Sequence, residues 1–167
     1  MKKLLNSLLL ALPLALPLCA AAYEINGVRL GGREYDVKKA FPSVHCKALE
    51  WKSDAADRRC DDAQISLDGV QARVTVYLKA DVIQAFDLRC EIKDLERMKK
   101  ALQSRWGAPL GEATETFSKK DKPDRKVFKM RWEKGADLAI LTAQLDKKNV
   151  SVEVSRGNFP TEIYRIR

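Results

Sequence analysis

One histidine and four cysteines are the residues in this chain best suited to nucleophilic or metal chemistry. His45 stands beside Cys46, and a Cys–His nucleophile needs thiolate and imidazole to meet in space. Neighbours on an extended chain point to opposite faces, so no nucleophile pair is expected and His45 reads as a surface residue. Cys46 has a better use: with Cys60, the nearest cysteine in the exported part of the chain, it predicts a disulfide closing the stretch Lys47 to Arg59. Closure of a loop of that size contributes about 3 kcal/mol through the entropy of the unfolded chain. Cys90 is left over, either buried at a strand end or exposed as a dimerising thiol, burial being the commoner fate in an apolar pattern. Asp54, Asp57, Asp61 and Asp62 crowd around Cys60, and clustered aspartates can supply the oxygens calcium needs. Their spacing matches no EF-hand loop and Arg58 and Arg59 sit among them, so a solvated mixed-charge loop is expected, with no metal and no cofactor.

Charge and aromatic residues offer binding rather than catalysis. Lys and Arg number 31 against 23 Asp and Glu, a formal net charge of +8 that attracts anionic partners at long range. The most basic stretch holds Lys119, Lys120, Lys122, Arg125 and Lys126, and continues through Lys129, Arg131 and Lys134. It reads as an anion patch for lipid headgroups, lipopolysaccharide or an acidic partner, or as a hairpin kept soluble and unpaired by its lysines, the commoner use. Trp106 and Trp132 lie on apolar stripes and belong to a core. Trp51 lies in the polar cysteine stretch, where a tryptophan can anchor a partner. No nucleophile elbow, phosphate loop or zinc spacing is present, and the reading is of a protein that is not an enzyme.

Residues 1–22 have the three parts of a cleavable secretory signal: Lys2 and Lys3, an apolar run from Leu4 to Leu18, and Ala20-Ala21-Ala22 before Tyr23. The run is short for a membrane anchor and carries Pro13 and Pro17. A lipoprotein would be acylated at Cys19, but Leu18 precedes it where a small residue is usual. The expected location is therefore the periplasm, where disulfides persist and nucleic acid is not an expected partner.

These residues need elements to position them. Glu34 to Phe41 has helical spacing and stops at Pro42. Ala63–Leu67, Ala72–Leu78 and Val82–Cys90 alternate as strands, with a hairpin signal at Asp68-Gly69. Ile92, Leu95, Met98, Leu102 and Trp106 form one stripe of a helix ended by Gly107 and Pro109. Strands resume at Phe128–Trp132, Ala139–Leu145 and Val150–Val154, and Phe159, Ile163, Tyr164 and Ile166 suggest a tail that packs back. The order helix, polar stretch, meander occurs twice, at about 23–90 and 91–157, and no Pro/Gly/Ser linker separates the halves. The expectation is one α+β domain over 23–167, an internal repeat of two helix-plus-antiparallel-meander units with helices packed on the sheet, plus the tail.

Leu30-Gly31-Gly32, the helix through Val37 to Phe41-Pro42, and the helix from Leu95 to Trp106-Gly107-Ala108-Pro109 carry a resemblance. The chain resembles, in tandem, the small exported helix-plus-sheet modules typified by the beta-lactamase-inhibitory protein and the small outer-membrane assembly lipoproteins. It is also similar to exported proteins of beta-proteobacteria. The resemblance implies an antiparallel sheet with helices on one face and binding of other proteins, and it brings no catalytic residue. The expected function is a small periplasmic accessory module that contacts a protein or envelope component through a sheet face or the cysteine loop. The alternative is a binder of anionic lipid or lipopolysaccharide through the basic hairpin.

Overall fold

The computed structural model describes residues 22–119 and 122–165; residues 1–21 of the expected signal segment, with Cys19, and Lys120 and Ile166 lie outside them. The chain opens with a hairpin of β1 (Glu24–Ile25) and β2 (Val28–Arg29), turning through Asn26-Gly27 with both φ positive. That twist matches the strands it joins. Helix α1 (Glu34–Ala40) starts at a capping box in which Arg33 N donates to Asp36 Oδ2 at 2.9 Å. Strands β3 (His45–Ala48), β4 (Arg58–Leu67), β5 (Val70–Lys79) and β6 (Val82–Glu91) then run antiparallel. Helix α2 (Leu95–Trp106) ends at Gly107, whose φ of 85° suits glycine. Strands β7 (Gly111–Lys119), β8 (Lys122–Lys134), β9 (Asp137–Gln144) and β10 (Asn149–Arg156) follow, then the short α3 (Phe159–Glu162).

Eight strands form one antiparallel sheet in the order β3-β4-β5-β6-β10-β9-β8-β7. The joint is the β6–β10 ladder, where Leu88 opposes Val152 and Phe86 opposes Val154. This corrects the expected α+β fold of two helix-plus-meander units at 23–90 and 91–157. Strands take 54% of the described residues and helices only 19%, and all strands after the β1–β2 hairpin share one undivided sheet. The physical reason lies at the joint. A meander ending at β6 would leave a row of unpaired backbone donors and acceptors, and pairing with β10 satisfies both inner edges at once. The sheet is also wider than its apolar runs suggest, because β3 and β7 lie in stretches whose polar composition reads as loop.

Alternation decides which face is buried. Val74, Val76, Phe86, Leu88, Val152, Val154, Leu141 and Met130 form one cluster with Val37 of α1 and Met98, Leu102 and Trp106 of α2. Burying each large side chain contributes roughly 2 kcal/mol. Tyr23, Trp106 and Trp132 meet edge to face at centroid distances of 5.0 and 5.5 Å. The intervening residues, among them Tyr77, Asp87, Arg89 and Glu153, point to the other face. Among the described elements, only α3 and the segment 49–57 pack there, at one end.

Candidate functional site

Cys46 and Cys60 are bridged. They are register partners, not the ends of a loose loop, so the bond pins the four-residue edge strand β3 to β4. Glu34 lies close to both sulfurs, which are spent in the bond and offer no metal ligand. Its carboxylate is held by Lys38 Nζ at 2.6 Å and Arg58 Nε at 2.9 Å, and those cations keep its pKa below the ordinary value. His45 is exposed, and Cys90 is buried and free. Burial, then the Asp94 and Glu91 carboxylates, push the Cys90 thiol up to about 11. The aspartates around Cys60 are spent separately. Asp57 Oδ2 accepts from Ala80 N at 2.9 Å, Asp61 from Thr75 Oγ1 at 2.7 Å and Asp62 from Gln64 N at 3.0 Å.

Trp51 is a contact residue, and its partner is the chain's own C-terminal segment. Its Nε1 donates to Ile163 O at 2.9 Å and its ring stacks on Tyr164 at 5.8 Å. Ser53 Oγ donates to Glu162 O at 3.2 Å. Below this clamp Phe159 and Ile163 pack with Tyr77, Ala85 and Ala56 in a second apolar cluster. One end of the open face is thereby roofed.

Beyond the roof the strand register assembles a charged floor. One row runs Asp61, Thr75, Asp87, Glu153, Ile140, Arg131, and the next runs Arg73, Arg89, Ser151, Thr142, Lys129. Arg89 sits near the middle with its Nη2 on Asp87 Oδ2 at 2.8 Å and its Nε within 3.2 Å of the same oxygen. Such a charge-assisted fork fixes a guanidinium plane while leaving donors free. Glu153 stands opposite Asp87 in register. Shielding from water, then the Asp87 carboxylate, raise its pKa, with Arg89 opposing. The Tyr77 hydroxyl, desolvated and hydrogen-bonded to Tyr164, is also raised. Arg89 borders three depressions: one under the C-terminal roof, one of about 570 Å³ toward Gln64 and Arg73, and one of about 330 Å³ toward Thr142 and Gln144. This floor carries no activated nucleophile. It suits recognition of a surface bearing both acceptors and donors.

None of these floor residues stands out in the sequence. Each occupies an outward position of an alternating strand, and only cross-strand register makes them neighbours. A single trace exists in the order Arg73, Thr75, Tyr77 opposite the buried valines, which marks a face but not its use.

The basic stretch divides in two. Lys129 Nζ reaches Glu115 at 2.9 Å, Arg131 Nε reaches Glu133 at 2.7 Å, and Lys134 Nζ lies 4.8 Å from the Tyr23 ring centroid. These cations are used within the fold. Nearer the hairpin tip, Arg125 and Lys126 are exposed and oppose Phe117 and Thr116, and the register pairs Lys119 with Lys122. Among the described residues Arg125 and Lys126 have no ion-pair partner.

Comparison with protein-family models, curated proteins and solved structures finds no match.

Proposed function

We propose that this chain is a non-enzymatic module of the periplasm that binds another protein through the open face of its sheet. One observation carries the reading: a sheet face without a helical layer over most of its width, with Arg89 held by Asp87 at its centre and bordering three adjoining depressions. Oriented arginine and tyrosine side chains on a rigid scaffold supply the anchors that protein interfaces use. The disulfide between Cys46 and Cys60 suits an oxidising compartment, and residues 1–22 have the composition of an export signal.

A photo-crosslinking residue placed at Thr142 or Ser151 in the intact periplasm tests this. A discrete protein adduct is expected from those positions, lost on Arg89→Glu, and none from Lys39 on the exposed side of α1. Equal labelling from all three positions, or none, overturns it.

A second reading, binding to anionic lipid or lipopolysaccharide, rests on a different observation: toward the β7–β8 tip, Arg125 and Lys126 lack acidic partners among the described residues, whereas Lys129 and Arg131, nearer the hairpin's base, are paired. Vesicle binding that weakens steeply with salt is its expected signature.

A further inference from the structure

The sheet end that carries the β7–β8 tip also carries the turn between β9 and β10, with Lys147 and Lys148 exposed in it. The two are fastened together, because Leu145 N donates to Lys126 O at 2.9 Å. Arg125, Lys126, Lys147 and Lys148 therefore form one cationic end, and among the described residues none of the four has an ion-pair partner. Asp124 and Asp146 lie among them without pairing to them, and the cations remain in excess.

The same end exposes apolar side chains. Phe117 is 46% and Leu145 45% exposed, the former opposite Arg125 in register and the latter bonded through its backbone to Lys126. The other large exposed apolar groups lie elsewhere: Tyr35 on α1, Leu110 just before β7, and Tyr164 stacked on Trp51. An aromatic and a leucine beside unpaired cations have no use for a free phosphate ion, which offers no apolar environment. They are also few, two large apolar side chains beside four cations. A stable protein interface covers about 800 Å² on each partner, whereas seating in a bilayer interface needs only a few apolar side chains and a cationic rim.

From this pairing of features we infer that this end of the sheet docks end-on to an anionic phospholipid bilayer. Arg125, Lys126, Lys147 and Lys148 meet the headgroup phosphates, and Phe117 and Leu145 enter the interface between headgroups and acyl chains. The inference rests on the lipid reading above and adds to it an inserted apolar pair, hence a component of binding that salt does not remove.

The test uses protein exported by its own N-terminal segment and purified from the periplasm, with co-sedimentation on phosphatidylglycerol-containing vesicles and on pure phosphatidylcholine. Binding is expected on the first and not the second. Each cation changed to Gln should weaken it roughly fivefold, so the quadruple variant at Arg125, Lys126, Lys147 and Lys148 should bind about 600-fold more weakly and lose its preference for phosphatidylglycerol. Phe117→Ser with Leu145→Ser should weaken binding about tenfold or more and make the remainder vanish in high salt. All six positions are exposed, and an unchanged thermal midpoint confirms that each variant is folded. If the apolar double variant binds like the parent, the inserted pair is wrong while the lipid reading stands. Absence of vesicle binding by the parent sinks both. Release of the parent by millimolar inorganic phosphate at constant ionic strength, or capture by an acidic protein with no vesicle binding, would also overturn the bilayer.

Discussion

Cys46 shows how a single bond does different work in a sheet than in a loop. Its partner Cys60 lies directly across the β3–β4 ladder, and β3 has only four residues with which to hold its place. An edge strand that short gains little from hydrogen bonds alone, so the crosslink sets its register as well as restricting the unfolded chain. Replacing both cysteines by alanine is expected to lower unfolding stability by about 3 kcal/mol, measured by urea denaturation, and to raise amide exchange first in β3. A loss spread evenly through the sheet would contradict the local role. Cys90 does not compete for this bridge, because it is buried and burial holds its thiol protonated far above neutral pH.

Between elements, fastening is electrostatic as well as apolar. Arg105, in the last turn of α2, grips Asp68 of the β4–β5 turn through two bonds of 2.8 and 2.7 Å. The guanidinium holds the Asp68 carboxyl below its ordinary pKa. A carboxyl with a depressed folded pKa contributes stability that is complete above its unfolded value and is lost as pH falls through its folded one. Asp68→Asn keeps a residue that tolerates the turn's positive φ of 49°. The pair is partly exposed, so the variant should be less stable by roughly 0.5 kcal/mol at neutral pH. The difference should close in strong acid, as read from parallel denaturation curves. A deficit that persists at low pH would assign the effect to packing. At the opposite end of the sheet the clamp of Trp51 on the C-terminal segment is a comparable device built from one indole bond and one ring stack.

For the whole molecule the decisive contact is the β6–β10 ladder. It makes a first set of strands and a second set one sheet with one core, so unfolding should be a single event. Trp51 reports on one side of the joint and Trp106 and Trp132 on the other. Leu88, fully buried at the joint, is the place to test it. Leu88→Ala is expected to cost about 3 kcal/mol and to shift tryptophan fluorescence and far-ultraviolet dichroism together. Two separated transitions would mean that the halves fold independently. The same continuity makes a broad, stiff floor on the open face, which four strands could not provide.

Much of this is legible in the sequence, wherever one residue's character settles its own environment. Alternation in Ala72–Leu78 and Phe128–Trp132 marks strands with one buried face, since a period of two puts successive side chains on opposite sides. The stripe from Met98 to Trp106, closed by Gly107, marks α2 by the same kind of periodicity at helical spacing. The Cys46–Cys60 bridge follows from proximity along the chain. Edge strands β3 and β7 are not legible in the sequence because an exposed edge has no apolar pattern to display, its pairing coming from backbone groups common to all residues. The merging of strands into one sheet and the gathering of Asp87, Arg89 and Glu153 are hidden for a related reason. Both depend on which strand lies beside which, and β6 and β10 are neighbours in space although α2 and three strands intervene in the chain. Sequence determined what each segment buries; only tertiary structure decided what each exposed residue stands next to, because cross-strand register is set by the packing of the whole core.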